Sequence, residues 1–191
     1  MHKKIVVLFS GEGTNLENII KKLHKKEFNG VTIEVAAAIT NNSNANGIKR
    51  AKKYGIEAKI VEHKKFPSRE EFDKELVKAI KEVSPDLVVL AGFMRILTPI
   101  FTKNIKNAIN IHPSILPLFK GMDAIKRSFE SQIKVAGVTI HRISEELDGG
   151  EILEQECFHK EGESFEEFEK KIHSIEYELY PKVILRLLLN R

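Results

Sequence analysis

The 191-residue chain has one cysteine, no tryptophan, six prolines and only 7% aromatic residues. The single Cys157 rules out an internal disulfide and any Cys-x-x-Cys metal pattern. It lies in an alternating stretch with Ile152, Glu154, Glu156 and Phe158, where a packing or sheet-face role outweighs a reactive one. No apolar run approaches the ~20 residues of a membrane span. The basic start Met1-His2-Lys3-Lys4 is followed by only Ile5–Phe9 before Ser10 and Gly11, which is too short for a secretory signal. These absences lead to the expectation of a cytoplasmic protein. Seven arginines and no interleaving of basic with aromatic residues give no sign of nucleic-acid binding. The net charge of +4 favours small anionic ligands by electrostatic focusing.

What is present is a run of strand and helix signals. Short apolar runs at Ile5–Phe9, Val31–Ile39, Ala58–Val61, Leu87–Leu90 and Ala108–Ile111 read as buried parallel strands. Between them, helices are expected over Leu16–Lys26, Gly47–Tyr54, from Ser68 to about Val83, and Pro99–Asn104. Ser68-x-x-Glu71 and Ser164-x-x-Glu167 are capping boxes, and Asp123 is placed to cap a helix over Asp123–Ser131. Val135–Ile143 and Ile152–Phe158 alternate, as antiparallel edge strands do. A long last helix follows, in which Pro181 should produce a kink or a split. The fold class is therefore α/β: one doubly wound, mostly parallel sheet with helices on both faces and an antiparallel edge toward the C-terminus. Residues 1–191 read as a single domain, with a phosphate-binding half over about 1–105 and a catalytic portion over about 106–191.

Chemistry concentrates in three loops at strand ends. Ala-Ile-Asn-Ile-His-Pro-Ser (108–114) ends a strand with Asn110 and His112 on one side, an amide donor beside an imidazole. Open α/β sheets bind ligands at such carboxyl ends. Ser10-Gly-Glu-Gly-Thr-Asn15 joins strand to helix and suits a phosphate, since its glycines admit close backbone approach to a helix N-terminus. It is not a dinucleotide fingerprint, because Leu16 stands where a third glycine is needed, and no P-loop exists. Asp148, before Gly149 and Gly150, can reach His112 from a neighbouring loop, although taken alone an ordinary Asp-Gly turn is the better reading. Arg69 and Arg95 could pair a ligand carboxylate or phosphate. Met94, Ile96 and Leu97 could line a slot for a flat ring or simply pack. His173 and Glu176 share a helix face. His141, mid-strand, reads as a satisfied sheet-face histidine. No His, Asp or Glu spacing suggests a metal site.

Taken in order, Ser10-Gly-x-Gly-Thr-Asn15, Leu90-Ala-Gly-Phe-Met-Arg-Ile-Leu97, Asn110-Ile-His-Pro-Ser114, Leu116-Pro117 and Leu147-Asp-Gly-Gly150 resemble the folate-dependent formyltransferases, in particular the glycinamide ribonucleotide enzymes of purine synthesis. The resemblance runs from Lys3 to about Leu189. It implies formyl transfer from 10-formyltetrahydrofolate to the amine of glycinamide ribonucleotide, with no metal. By that resemblance Asn110, His112 and Asp148 are catalytic, and Gly13, Thr14, Asn15, His173 and Glu176 hold the phosphate and ribonucleotide. Arg69, Met94, Arg95, Ile96, Leu97, Asn110, Ser144, Glu145, Glu146, Leu147 and Asp148 hold the folate. Small-molecule substrates, no nucleic-acid or membrane partner, and a monomer or homodimer are implied as well. Two departures stand out: Lys120-Gly121, which is more like formyltetrahydrofolate hydrolases, and Tyr177 in place of a frequent His. The hydrolase, another formyltransferase, and a non-catalytic phosphate-binding module are the rival readings. The first usually carries an extra N-terminal domain, and methionyl-tRNA formyltransferase a C-terminal one.

Overall fold

The computed structural model describes residues 1–189. Eight strands form one sheet in the order β2-β3-β1-β5-β6-β7-β8, with β4 also on β3. The strands are β1 (His2–Phe9), β2 (Lys26–Phe28), β3 (Val31–Thr40), β4 (Ala58–Ile60), β5 (Leu87–Leu90), β6 (Ala108–His112), β7 (Val135–Arg142) and β8 (Ile152–His159). Neighbours among β4, β3, β1, β5 and β6 run parallel, while β2, β7 and β8 are antiparallel. The expected class holds, including the antiparallel edge.

Alternation along β1 explains the layering. Ile5, Val7 and Phe9 enter one core with Leu16, Ile19, Ile20 and Leu23 of α1 (Thr14–Leu23) and with Phe168, Ile172 and Tyr180 of α6 (Phe165–Leu189). Val6 and Leu8 enter the other core with Phe72, Leu76 and Ile80 of α3 (Arg69–Lys81) and Phe101 of α4 (Pro99–Asn104). Each residue of Ile5–Phe9 is thus buried, on alternate sides, which is why such a strand reads as an unbroken apolar run. The remaining helices are α2 (Gly47–Lys52) and α5 (Ala124–Glu130).

Four local expectations are corrected. The first helix stops at Leu23, not Lys26, because the His24 ring accepts the Val35 N–H at 3.1 Å and Lys25 turns left-handed at φ 57°. The freed residues Lys26–Phe28 then pair with Val31–Ile33 as β2. The second helix ends at Lys52, with Gly55 at φ +72° two residues past its C-cap. Asp123 does precede α5, yet its side chain makes no cap hydrogen bond. Finally, Pro181 neither ends nor splits α6. Proline has no N–H for the carbonyl four residues back. That carbonyl, Tyr177, instead accepts from Asn18 Nδ2 at 2.8 Å and Lys22 Nζ at 3.1 Å, both on α1. The capping boxes form as read: Ser68 Oγ accepts the Glu71 N–H, and Ser164 and Glu167 cap each other reciprocally. Asn190 and Arg191, in the expected domain range, lie outside the described residues.

Candidate active site

Pairing register brings the predicted loops to one edge. Leu8 pairs with Leu90, Leu90 with Asn110, and Asn110 with His141, so one row crosses β1, β5, β6 and β7. Past that row lie the glycine turn after β1, the 91–98 segment after β5 and His112 at the end of β6. The chain winds away from β1 to one side through β3 and to the other through β5, which makes this edge the topological switch point.

A cleft opens there between the strand ends and the loops that follow them. Its apolar wall is Leu90, Phe93, Ile96, Leu97 and Ile143. Its polar wall is Asn110 and His141 below, with Ser144, Glu145, Glu146 and Asp148 across. Of the residues the resemblance gives to folate, Arg95, Ile96, Leu97, Asn110 and the whole 144–148 stretch line this cleft. Arg69 and Met94 do not: Arg69 opens α3 on the surface, and Met94 is 73% exposed.

Asn110, His112 and Asp148 do come together, but through a fourth residue. Asp148 Oδ2 lies 3.4 Å from His112 Nδ1 and accepts the Gly121 N–H at 2.8 Å. His112 Nε2 donates to the Phe119 carbonyl at 2.9 Å. An acceptor thus lies against each nitrogen of the ring. Asn110 touches neither partner. Its Nδ2 donates to His141 Nε2 at 3.1 Å. His141 Nδ1 donates in turn to the Arg142 carbonyl at 2.9 Å. Burial pushes the His141 pKa down, opposed by the Arg142 carbonyl and the Asp148 charge. The ring is therefore neutral, and its 3.6 Å approach to Asp148 Oδ1 is not an ion pair. The neutral tautomer fixes the Asn110 amide, because a flipped amide would set its oxygen against a ring lone pair. One Nδ2 hydrogen is used on His141. The other remains for a ligand in the cleft that Asn110 lines.

Sequence reasoning placed His141 on the sheet face and missed this role. Only the antiparallel register joining Asn110 to His141 reveals it. Asp148 sits at φ 49°, a left-handed turn that Asp tolerates. Gly150 is required just after it, since a Cβ there would lie 1.9 Å from the Arg142 carbonyl oxygen.

The glycine turn forms the second lobe. Gly13 is the N-cap of α1 at φ +70°, and a Cβ on it would meet the Gly47 Cα at 2.5 Å. Two backbones thus touch where no side chain fits, leaving the first N–H groups of α1, among them Thr14 and Asn15, for an anion. Glu176 Oε2, 4% exposed, accepts from Asn15 Nδ2 at 3.0 Å and from His173 Nδ1 at 2.9 Å. The hydrogen bond to Glu176 raises the His173 pKa despite partial burial, which favours the charged form of the ring near the turn. Tyr177 stacks on the His173 ring at 6.2 Å between centroids. The two lobes meet at Ser10, whose Oγ accepts the Met94 N–H at 2.7 Å and donates to Asn41 at 2.5 Å. Among the described residues no cluster of His, Cys, Asp or Glu could hold a metal, and no helix is long and apolar enough to cross a membrane.

A switch-point cleft with an amide and an imidazole–carboxylate pair beside an anion turn is the layout of a group transferase acting at a carbonyl. The comparisons agree: a family model described as formyl transferase matches residues 3–184, and the chain belongs to that family. It falls among the phosphoribosylglycinamide formyltransferases. A Haemophilus influenzae protein of that name is 39% identical over 186 residues, covering 95% of this chain and 85% of its own length. The Campylobacter jejuni structure of that name superposes with a TM-score of 0.96 at 56% identity, covering 98% of each chain. The trifunctional purine biosynthetic protein adenosine-3 of Gallus gallus is 37% identical over 183 residues. The chain spans 18% of that relative's length.

Proposed function

We propose that the chain, as one formyltransferase domain, transfers a formyl group from 10-formyltetrahydrofolate to the amine of glycinamide ribonucleotide. The folate supplies the activated formyl group, and the cleft suits its flat ring: apolar walls at Phe93, Ile96 and Leu97 face the polar 144–148 stretch. Arg95 Nε, buried without a partner, is an unused donor beside it. Thr14, Asn15 and the His173–Glu176 pair hold the ribonucleotide phosphate and sugar end, and Gly13, left-handed at the helix N-cap, shapes the turn that presents the free N–H groups.

The observation that carries this reading is the Asn110 amide pinned by neutral His141, with a hydrogen left for the cleft. As the amine nitrogen bonds to the formyl carbon, negative charge gathers on the formyl oxygen. Asn110 donates to that oxygen, and the His112 proton supports it once the Phe119 carbonyl gives way. Asp148 holds the imidazole with its charge balanced. The carbon–N10 bond breaks, and the proton lost by the amine passes through His112 or a water to N10. The products are formylated ribonucleotide and tetrahydrofolate, with no redox change. We place the protein in the cytoplasm, as a monomer or homodimer with small-molecule substrates only.

The test is incubation with 10-formyltetrahydrofolate, with and without glycinamide ribonucleotide. Folate turnover that needs the amine supports the transferase. Amine-independent turnover makes the protein a hydrolase, and no turnover makes it a binding module.

A further inference from the structure

Asp73 is fully buried on α3, four residues after Arg69, within the apolar cluster of Phe72, Leu76, Phe93 and Phe101. Burying a carboxylate is costly unless it is paired or hydrogen-bonded. Asp73 engages only one oxygen. Oδ2 accepts the Thr98 backbone N–H at 2.6 Å and the Thr98 hydroxyl at 2.7 Å, while Oδ1 has no partner. Thr98 follows directly on Met94–Leu97, which has no regular secondary structure. Its hydroxyl also accepts the Ile100 N–H at 3.3 Å and so starts α4. At the other end of the same segment, Ser10 Oγ takes the Met94 N–H. Four residues of irregular chain are thereby tied at both ends, and three of them line the cleft. Arg95, in the middle, lies over the Phe72 ring at 5.8 Å, and its Nε is buried without a partner.

We infer that Asp73 is a positioning residue for folate recognition: by holding Thr98 it fixes Met94–Leu97, and with it Arg95, against the cleft. The inference rests on the folate reading of that cleft and extends it to a side chain that touches no substrate. Burial raises the Asp73 pKa, opposed by the two Thr98 hydrogen bonds and the Arg95 charge. A purely structural carboxylate would serve both substrate lobes alike. Asp73 serves a segment that belongs to one.

The experiment compares Asp73→Ala, Asp73→Asn and Thr98→Val with the wild type. Steady-state kinetics are combined with calorimetric binding of a 10-formyl-5,8-dideazafolate probe. Asp73→Ala is expected to raise KM for 10-formyltetrahydrofolate and the probe Kd by ~10-fold or more, leaving kcat and KM for glycinamide ribonucleotide within ~3-fold. Asp73→Asn keeps an oxygen for Thr98 and should stay within ~3-fold of wild type. Thr98→Val keeps the backbone N–H and should fall between, and it carries the test if Asp73→Ala does not fold. An unchanged probe Kd in Asp73→Ala or Thr98→Val overturns the inference. So do equal rises in both KM values, or Asp73→Asn as weak as Asp73→Ala. Wild-type protein that fails to bind the probe overturns the folate reading itself.

Discussion

His141 determines what Asn110 can offer a substrate. A carboxamide free to rotate presents oxygen as readily as nitrogen, and oxygen would repel a developing oxyanion. The His141 lone pair removes that choice, and it exists because burial keeps the ring neutral. Replacing His141 by Leu should therefore lower kcat by ~10-fold, with both KM values within ~3-fold, as expected when a donor is mis-set and not removed. Steady-state kinetics across both substrates give the check, and unchanged kcat would dismiss the pinning role. Asp148→Asn should cost more, ~10²-fold in turnover, because the amide loses the carboxylate charge that faces His112 Nδ1 at 3.4 Å while its oxygen stays on the Gly121 N–H. A single-turnover rate within ~3-fold of wild type in that variant would release Asp148 from its assignment. Asn110, His112 and Asp148 were legible because each sits in a short run with its own turn chemistry. His141 was not, because its partner lies 31 residues away and only antiparallel pairing brings them together.

At the scale of elements, the join between α1 and α6 matters most, since it sets the glycine turn against His173 and Glu176. Pro181 leaves the Tyr177 carbonyl unpaired, and α1 supplies two donors to it. A proline that ought to weaken the helix thus becomes its attachment point. Asn18→Ala should cost ~1 kcal/mol of stability, the usual worth of one such hydrogen bond. In a Pro181→Ala background the restored N–H satisfies Tyr177 within the helix, and the same Asn18→Ala change should cost less. A double-mutant cycle in urea reads this coupling directly, and strict additivity would show that Asn18 is not filling the gap left by proline. The sequence pattern announced a kink or a split, and the split does not occur, because the proline rule counts only bonds within a helix. β2 escaped notice for a similar reason: three residues, Lys26–Phe28, carry too little periodicity to outweigh a lysine-rich helical stretch. By contrast, the five parallel strands and both capping boxes were plain, since burial on two faces and reciprocal caps leave strong local patterns.

For the molecule as a whole, its histidines pull stability in opposite directions with pH. His173 has a raised pKa because Glu176 stabilises its charged form. Its contribution is complete below the ordinary value of 6.5 and is lost as pH rises through the higher folded value. His141 and His24 have lowered pKa values, in each case chiefly through burial. For these two the unfolded chain binds protons more readily, so stability falls as pH drops from 6.5 toward their folded values. The carboxylates add a loss at lower pH: Glu17, held down mainly by its hydrogen bond from Arg50, protonates only below the ordinary 4.5. Stability should therefore peak near the ordinary histidine value, with flanks of different origin. His173→Gln should flatten the alkaline flank of urea midpoints recorded from about pH 5 to 9, leaving the acid flank intact. On the proposed function, wild-type KM for glycinamide ribonucleotide should rise with pH as the His173 charge is lost, and in His173→Gln it should stay flat. An alkaline flank that survives the substitution would show that the His173–Glu176 pair is not its source.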